Sequence, residues 1–149
     1  MRLDKYRSKR DFQRTNEPEG DEGDEKLRIF VVQEHKSSHL HYDFRLSLDG
    51  VLKSWAVPKG VPEKKGLKRL AVQTEDHPIE YANFEGAIPE GNYGAGEVRI
   101  WDKGNYSLQE RSDDKLVFSL EGQRLKGSYA LIRFKGKEGK EGNWLMMKI

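Results

Sequence analysis

The sequence predicts an all-β protein: a small closed or partly open β-barrel with short turns, preceded by a flexible charged N-terminal arm. Three observations predict it. From Leu27 onward, short runs of β-branched and aromatic residues recur about every 8–12 residues between turn signals. Asp49-Gly50 joins two alternating runs, and that dipeptide favours the left-handed backbone of a type I′ hairpin. No helical periodicity is visible beyond the first 14 residues and a short turn at Glu80–Asn83. A chain of 149 residues suits one domain, divided here into a partly disordered arm (1–26) and the barrel (27–149).

The strands follow in order. RIFVVQ (28–33) is rich in β-branched residues and opens the barrel. HYDFRLSL (41–48) and VLKSWAV (51–57) form the hairpin around Asp49-Gly50. KRLAVQT (68–74) runs towards Pro78, which cannot donate to a ladder and closes the strand region. EVRIWD (97–102), LVFSLEG (116–122), SYALIRF (128–134) and NWLMMKI (143–149) complete the set, with GKEGKEG (136–142) as a flexible hairpin tip. Trp55, Trp101 and Trp144 all fall in apolar strands and are expected in the core. There are no internal repeats.

Composition narrows the chemistry. Apolar and charged residues are each 35%, so the core is lean. The chain has no cysteine, which excludes disulfides and thiolate metal sites and leaves imidazole and oxygen as metal ligands. No apolar run approaches the ~18 residues of a membrane helix, and MRLDKYRSKR lacks a signal peptide's apolar core. The expectation is a soluble, cytoplasmic protein with no membrane partner. Net charge is only +2, yet it is unevenly spread. Arg2, Lys5, Arg7, Lys9, Arg10 and Arg14 outweigh Asp4 and Asp11, after which Glu17, Glu19, Asp21, Glu22, Asp24 and Glu25 face Lys26 alone. A solvated tail and an arm that touches a polyanion both fit this pattern.

The chemistry concentrates in EHKSSHLHYDFRL, which holds His35, His39 and His41. As a strand, His41, Asp43, Arg45 and Ser47 share one face, while Tyr42, Phe44, Leu46 and Leu48 form a core face. The polar face is either the wet side of a sheet or the lining of a barrel mouth. His41-x-Asp43 with the distant His77 matches a facial set of two imidazoles and one carboxylate. Hydrolysis at Mn²⁺ or Zn²⁺ and oxygen activation at Fe(II) both use that set. His35 adds a further imidazole, and Arg45 suits phosphate oxygens bidentately, which favours phosphate chemistry. His39 shares the parity of His41 but lies in the preceding turn, where a surface histidine is expected.

Alternation places Arg69 opposite Leu70 and Val72. Glu75, Asp76 and His77 gather at the strand end, with Tyr81 four residues after His77. They read as site residues or as a polar turn. PEGNYGAGEV (89–98) lacks the Gly-Lys-Ser/Thr ending of a P-loop, so its glycines read as a tight bend at the rim. The absence of a Gly-x-Ser-x-Gly elbow and of a reactive cysteine removes support for nucleophilic acyl chemistry.

Three long runs carry a resemblance: YRSKRDFQRTNEP (6–18), FVVQEHKSSHLHYDFRLSLDGVLKSWAVPKG (30–60) and RLAVQTEDHPIEYANFEGAIPEGNYGAGEVRIWDKGNY (69–106). Together they closely resemble the 3′-phosphoesterase domain of bacterial DNA ligase D. With no polymerase or ligase module in the sequence, the expected form is the free-standing one found in some archaea and bacteria. The resemblance implies a small β-barrel with the active site on a concave face and Mn²⁺-dependent trimming of 3′ ends. A terminal ribonucleoside would be removed to leave a 3′-phosphate, which would then be hydrolysed to a 3′-hydroxyl. His35, His41 and Asp43 would hold the metal, with Zn²⁺ or Co²⁺ as alternatives to Mn²⁺. Arg45, Arg69, His77 and Tyr81 would surround the scissile phosphate, and Glu75, Asp11 and Glu17 would hold their neighbours in place. Lys59 would contact substrate or a carboxylate. Nucleic-acid 3′ ends are the implied partner, with a separate ligase and polymerase, and the protein is expected to be a monomer. One departure is His39, where arginine is common in the family. A non-catalytic nucleic-acid-binding barrel and an Fe(II) oxygenase using His41, Asp43 and His77 are the competing readings.

Overall fold

The computed structural model describes residues 2–20, 23–134 and 142–149. Residues 136–141 of the expected hairpin tip lie outside the described residues. The strands are β1 (Ile29–Lys36), β2 (Leu40–Leu48), β3 (Val51–Val57), β4 (Lys68–His77), β5 (Gly86–Ile88), β6 (Gly96–Arg111), β7 (Lys115–Gly122), β8 (Lys126–Arg133) and β9 (Asn143–Lys148). They pair antiparallel in the order β1-β2-β3-β4-β9-β8-β7-β6, and β6 returns to β1, which closes the barrel. The short β5 adds to the first part of β6. The helical content among the described residues is α1 (Asp4–Ser8) and a 3₁₀ turn at Ile79–Asn83. No helix among the described residues is long and apolar enough to cross a membrane.

Two hydrophobic clusters lie on opposite faces of the same strands. Inside the barrel, Phe30, Val32, Phe44, Leu46, Trp55, Phe118, Leu131 and Met146 pack together, and the Phe44 and Phe118 rings stack at 5.7 Å. Trp55 and Trp144 belong to this core, whereas Trp101 is only partly buried, edge-on to Tyr42. On the outer face of β1 and β3, Val31 and Leu52 pack with Tyr6 of α1 and with Tyr81, Ala82 and Phe84. Burial of Tyr6 alone contributes about 2 kcal/mol of hydrophobic stabilisation, and its hydroxyl donates to the Pro18 carbonyl. The N-terminal segment is thereby held against the outside of the barrel.

Local chemistry explains the turns. Asp49 (φ 58°) and Gly50 (φ 84°) are both left-handed, as a type I′ hairpin requires. β6 is much longer than the expected 97–102 because Gly104 continues it: a Cβ there would lie 2.0 Å from the Glu121 carbonyl oxygen. That glycine permits close backbone approach and does not break the strand. β1 likewise runs past Gln33 to Lys36, since β2 and β6 pair with it on both sides.

β4 carries the irregularity that matters most for the site. Ser54 pairs with Thr74, but Leu52 pairs with His77, so β4 spends one extra residue over that interval. A bulge of this kind re-aims the side chains beyond it. It places His77 on the same outer face as Thr74, where strict alternation would have sent it to the interior.

Candidate active site

A cavity of about 500 Å³ lies on the outer face of β1–β4, between the strands and the N-terminal segment. Phe44, Leu46 and Leu48 fill the barrel interior, so Asp43 and Arg45 necessarily project to this outer side. The polar face of β2 is therefore neither open to water nor inside the barrel; it is roofed.

The register places His35 directly opposite His41, with ring centroids 4.7 Å apart. His35 Nδ1 lies 3.5 Å, and His41 Nε2 3.4 Å, from one Asp43 carboxylate oxygen. Ligand atoms of these three residues fall within 4.8 Å of one another. Each imidazole is oriented through its other nitrogen: His35 Nε2 donates to the Gly94 carbonyl at 2.7 Å, and His41 Nδ1 donates to the His39 carbonyl at 3.2 Å. Backbone acceptors of this kind fix the tautomer of metal-binding histidines and turn the remaining lone pair towards the ion. Two imidazoles and a hard carboxylate suit Mn²⁺ or Zn²⁺, so these residues fit a divalent metal. Burial alone would raise the Asp43 pKa, but Arg45, His35 and His41 outweigh it and hold the carboxyl well below the usual range. The hydrogen bond with Asp43 raises the His41 pKa in turn. His39 is exposed in the turn and contributes only its carbonyl.

Arg45 is held at every nitrogen. Its Nε donates to Gln33 Oε1 at 2.7 Å, Nη1 donates to Ser54 Oγ at 2.9 Å, and Nη2 lies 3.5 Å from Asp43. Gln33 is itself locked, since its Nε2 donates to the Tyr81 and Phe84 carbonyls at 2.7 and 3.1 Å. The guanidinium also sits 4.9 Å from the Tyr81 ring centroid.

His77 is buried beside Tyr81, with ring centroids 4.7 Å apart. Its Nδ1 donates to the Glu75 carbonyl at 2.9 Å, which leaves Nε2 as an acceptor facing Arg10 at 3.5 Å. Burial, reinforced by Arg45 and Arg10, pushes the His77 pKa well below its ordinary value. The ring is neutral.

The N-terminal segment supplies the roof. Arg10 Nε lies 3.0 Å from Glu17 and Nη1 3.3 Å from Glu75, while the guanidinium covers the Tyr6 ring at 3.9 Å. Lys9 lies 3.0 Å from the other Glu75 oxygen. Burial would raise the Glu75 pKa, but its own backbone N–H, Lys9 and Arg10 lower it. The Tyr81 hydroxyl donates to Glu17 at 2.5 Å.

His35, His41, Asp43, Arg45, Glu75, His77, Tyr81 and Glu17 thus meet at one cavity. Three expected site residues lie elsewhere. Arg69 shares its β4 face with Ala71, which packs in the barrel interior, and so points away from Thr74 and the cavity. It donates to the Lys59 carbonyl at 2.8 Å, and both residues line a separate depression with Tyr42 and Trp101. Asp11 is exposed and accepts from the Gln13 backbone N–H at 3.1 Å. The sequence reading missed Arg10 and Gln33. Arg10 was hidden in a charge run read as a solvated tail or polyanion arm. Gln33 had a usable signal, being a polar residue in step with Val31 and His35 in an otherwise apolar strand.

Comparison with known proteins agrees with this geometry. Residues 33–133 match the family described as the DNA Ligase D 3′-phosphoesterase domain. The chain is 47% identical over 154 residues to the multifunctional non-homologous end joining protein LigD of Pseudomonas aeruginosa, covering 98% of the chain and 18% of that protein. It is 50% identical over 146 residues to the multifunctional non-homologous end joining DNA repair protein LigD of Mycobacterium tuberculosis, covering 91% of the chain and 19% of that protein. Against the Mycolicibacterium smegmatis LigD it is 46% identical over 164 residues, covering 99% of the chain and 20% of the relative. The chain thus spans about a fifth of these relatives' length.

Proposed function

The chain belongs to the DNA ligase D 3′-phosphoesterase domain family, and from that premise we propose that it is a metal-dependent 3′-end-healing phosphoesterase. It removes a 3′-terminal ribonucleoside from a primer strand as a phosphodiesterase, then hydrolyses the remaining 3′-phosphate to a hydroxyl. One observation carries the reading: the His35, His41 and Asp43 ligand set lies in the same cavity as Arg45 and a neutral His77.

A divalent ion, Mn²⁺ or alternatively Zn²⁺ or Co²⁺, would be held by His35 Nδ1, His41 Nε2 and Asp43, and supplies Lewis-acid stabilisation of charge on phosphate oxygens. Arg45 is preorganised by Gln33 and Ser54, so its remaining donor capacity meets a non-bridging oxygen without reorientation. Arg10 approaches from the roof on the His77 side. His77 starts neutral, and an incoming phosphate anion raises its pKa. As water attacks the phosphorus and the P–O5′ bond breaks, Nε2, having taken up a proton from solvent, can pass it to the leaving 5′ oxygen of the terminal ribonucleoside. Glu17 and Glu75 position Arg10, Lys9 and Tyr81. Asp11 shapes the turn that carries this segment. The enzyme works in the cytoplasm as a monomer alongside a polymerase and a ligase.

The test is a 5′-labelled primer–template ending in one or two ribonucleotides, incubated with wild type or His41→Ala in Mn²⁺ or EDTA. Shortening to a 3′-phosphate and then a 3′-hydroxyl is expected only with wild type and metal. Binding of the duplex without cleavage by well-folded wild type overturns the reading.

A further inference from the structure

Tyr93 is an exposed aromatic residue that the catalytic reading does not use. It is 50% exposed, whereas Tyr6, Tyr81, Tyr106 and Tyr129 are all buried. It is nevertheless not a loose side chain. Its neighbour Asn92 donates through Nδ2 to the Arg14 and Pro89 carbonyls at 3.1 and 3.0 Å. Its other neighbour, Gly94, provides the carbonyl that orients the metal-ligand candidate His35. The ring is thus mounted on a turn pinned on both sides and tied directly to the reacting centre. Lys9 Nζ lies 4.7 Å from its centroid and the Arg10 guanidinium 5.5 Å away, which steadies its orientation.

The position of the ring is informative. Tyr93 borders both the metal cavity and a second groove of about 880 Å³. Arg2, Lys5, Lys9 and Lys53 line that groove together with Asp4, Glu75 and Asp76, and Lys9 pairs with Glu75 at 3.0 Å and Lys53 with Asp76 at 2.9 Å. A retained strand brings one phosphate per nucleotide into such a groove, while a departing nucleoside brings none. With one cation more than carboxylates, the groove beside the ring is the side that suits a retained strand.

We propose that Tyr93 is a stacking platform for the nucleobase of the retained 3′-terminal nucleotide, the one that carries the reacting phosphate. The inference rests on the phosphoesterase reading above and adds a base subsite to it. Every base offers a π face, so a stacking platform grips the end without choosing a sequence, as end processing demands. Lys9, already over the ring, lies within reach of the neighbouring phosphate.

The test is a double-mutant cycle between ring and base. Primer–templates ending in a 3′-phosphate are made with a normal or an abasic 3′-terminal nucleotide. Their Kd is read by fluorescence anisotropy in EDTA, and KM for phosphate release is read in Mn²⁺. Tyr93→Ala is expected to weaken binding of base-bearing ends by about tenfold and to leave abasic ends within about twofold. Tyr93→Phe, which keeps the ring, is expected to bind both ends as wild type does. Equal weakening of both ends, or no weakening of either, would overturn the proposal. Failure of wild type to release product from any end overturns the phosphoesterase reading instead, while the anisotropy cycle still reads the platform.

Discussion

Glu17 and Tyr81, 64 residues apart in the chain, meet in a 2.5 Å hydrogen bond donated by the phenol. The same carboxylate pairs with Arg10 at 3.0 Å and is itself buried. Removing it leaves the buried Arg10 guanidinium with Glu75 as its remaining carboxylate and strands the buried Tyr81 hydroxyl. Glu17→Ala is therefore expected to cost about 3 kcal/mol of unfolding free energy, measured by denaturant titration. Glu17→Gln, which still accepts from Tyr81, should lose less.

Deleting residues 1–18 removes Tyr6, Arg10 and Glu17, and with them the roof of the cavity. The expected outcome is a marked loss of the phosphodiesterase step, assayed on a ribonucleotide-ended primer–template. Undiminished activity of a folded truncation on both diester and 3′-phosphate ends would show the roof to be dispensable.

Metal binding should be visible as stability. At an Mn²⁺ concentration about 100-fold above Kd, wild type gains about 2.7 kcal/mol, a rise of roughly 5–10 °C in Tm for a chain of this size. His41→Ala is expected to abolish that rise. His39→Arg should keep it, because His39 contributes a carbonyl and no ring nitrogen to the site.

Arg45→Lys is expected to lower kcat by about 10²-fold. One ammonium cannot engage Gln33, Ser54 and Asp43 together while still facing a phosphate. Steady-state kinetics on a 3′-phosphate end would read the change, and an unaltered kcat would remove Arg45 from the reaction.

His77 gives stability a pH dependence of known sign. Its folded pKa is depressed, so the unfolded chain binds a proton that the folded one refuses. Its contribution is complete above the unfolded value of about 6.5 and is lost as pH falls below it, by at most ~1.4 kcal/mol per unit. Denaturant titrations at pH 7.5 and 5.5 should show wild type losing more stability than His77→Gln over that interval.

Much of this architecture is legible in the sequence. The Asp49-Gly50 hairpin is readable because two consecutive left-handed residues demand those side chains. The β2 alternation correctly separates Asp43 and Arg45 from Phe44 and Leu46. Identification of the outer face as the functional one needed tertiary information, because only the N-terminal roof makes that face a cavity. Arg10 was illegible for the same reason: a cation in a charged run looks solvated until Glu17 and Glu75 are brought to it. The length of β6 was less legible: it runs to Arg111, well past the expected 102, because Gly104 permits close backbone approach and lets the strand continue.

The extra residue in β4 makes chain length, more than side-chain identity, the sensitive variable at this site. A substitution between Gln73 and His77 changes one group. Loss of a single residue there would restore perfect alternation with His77 still opposite Leu52, but it would remove the bulge that lets Thr74, Glu75 and His77 all face one cavity. Variation among such chains should therefore tolerate replaced letters in this stretch far better than a changed count of them.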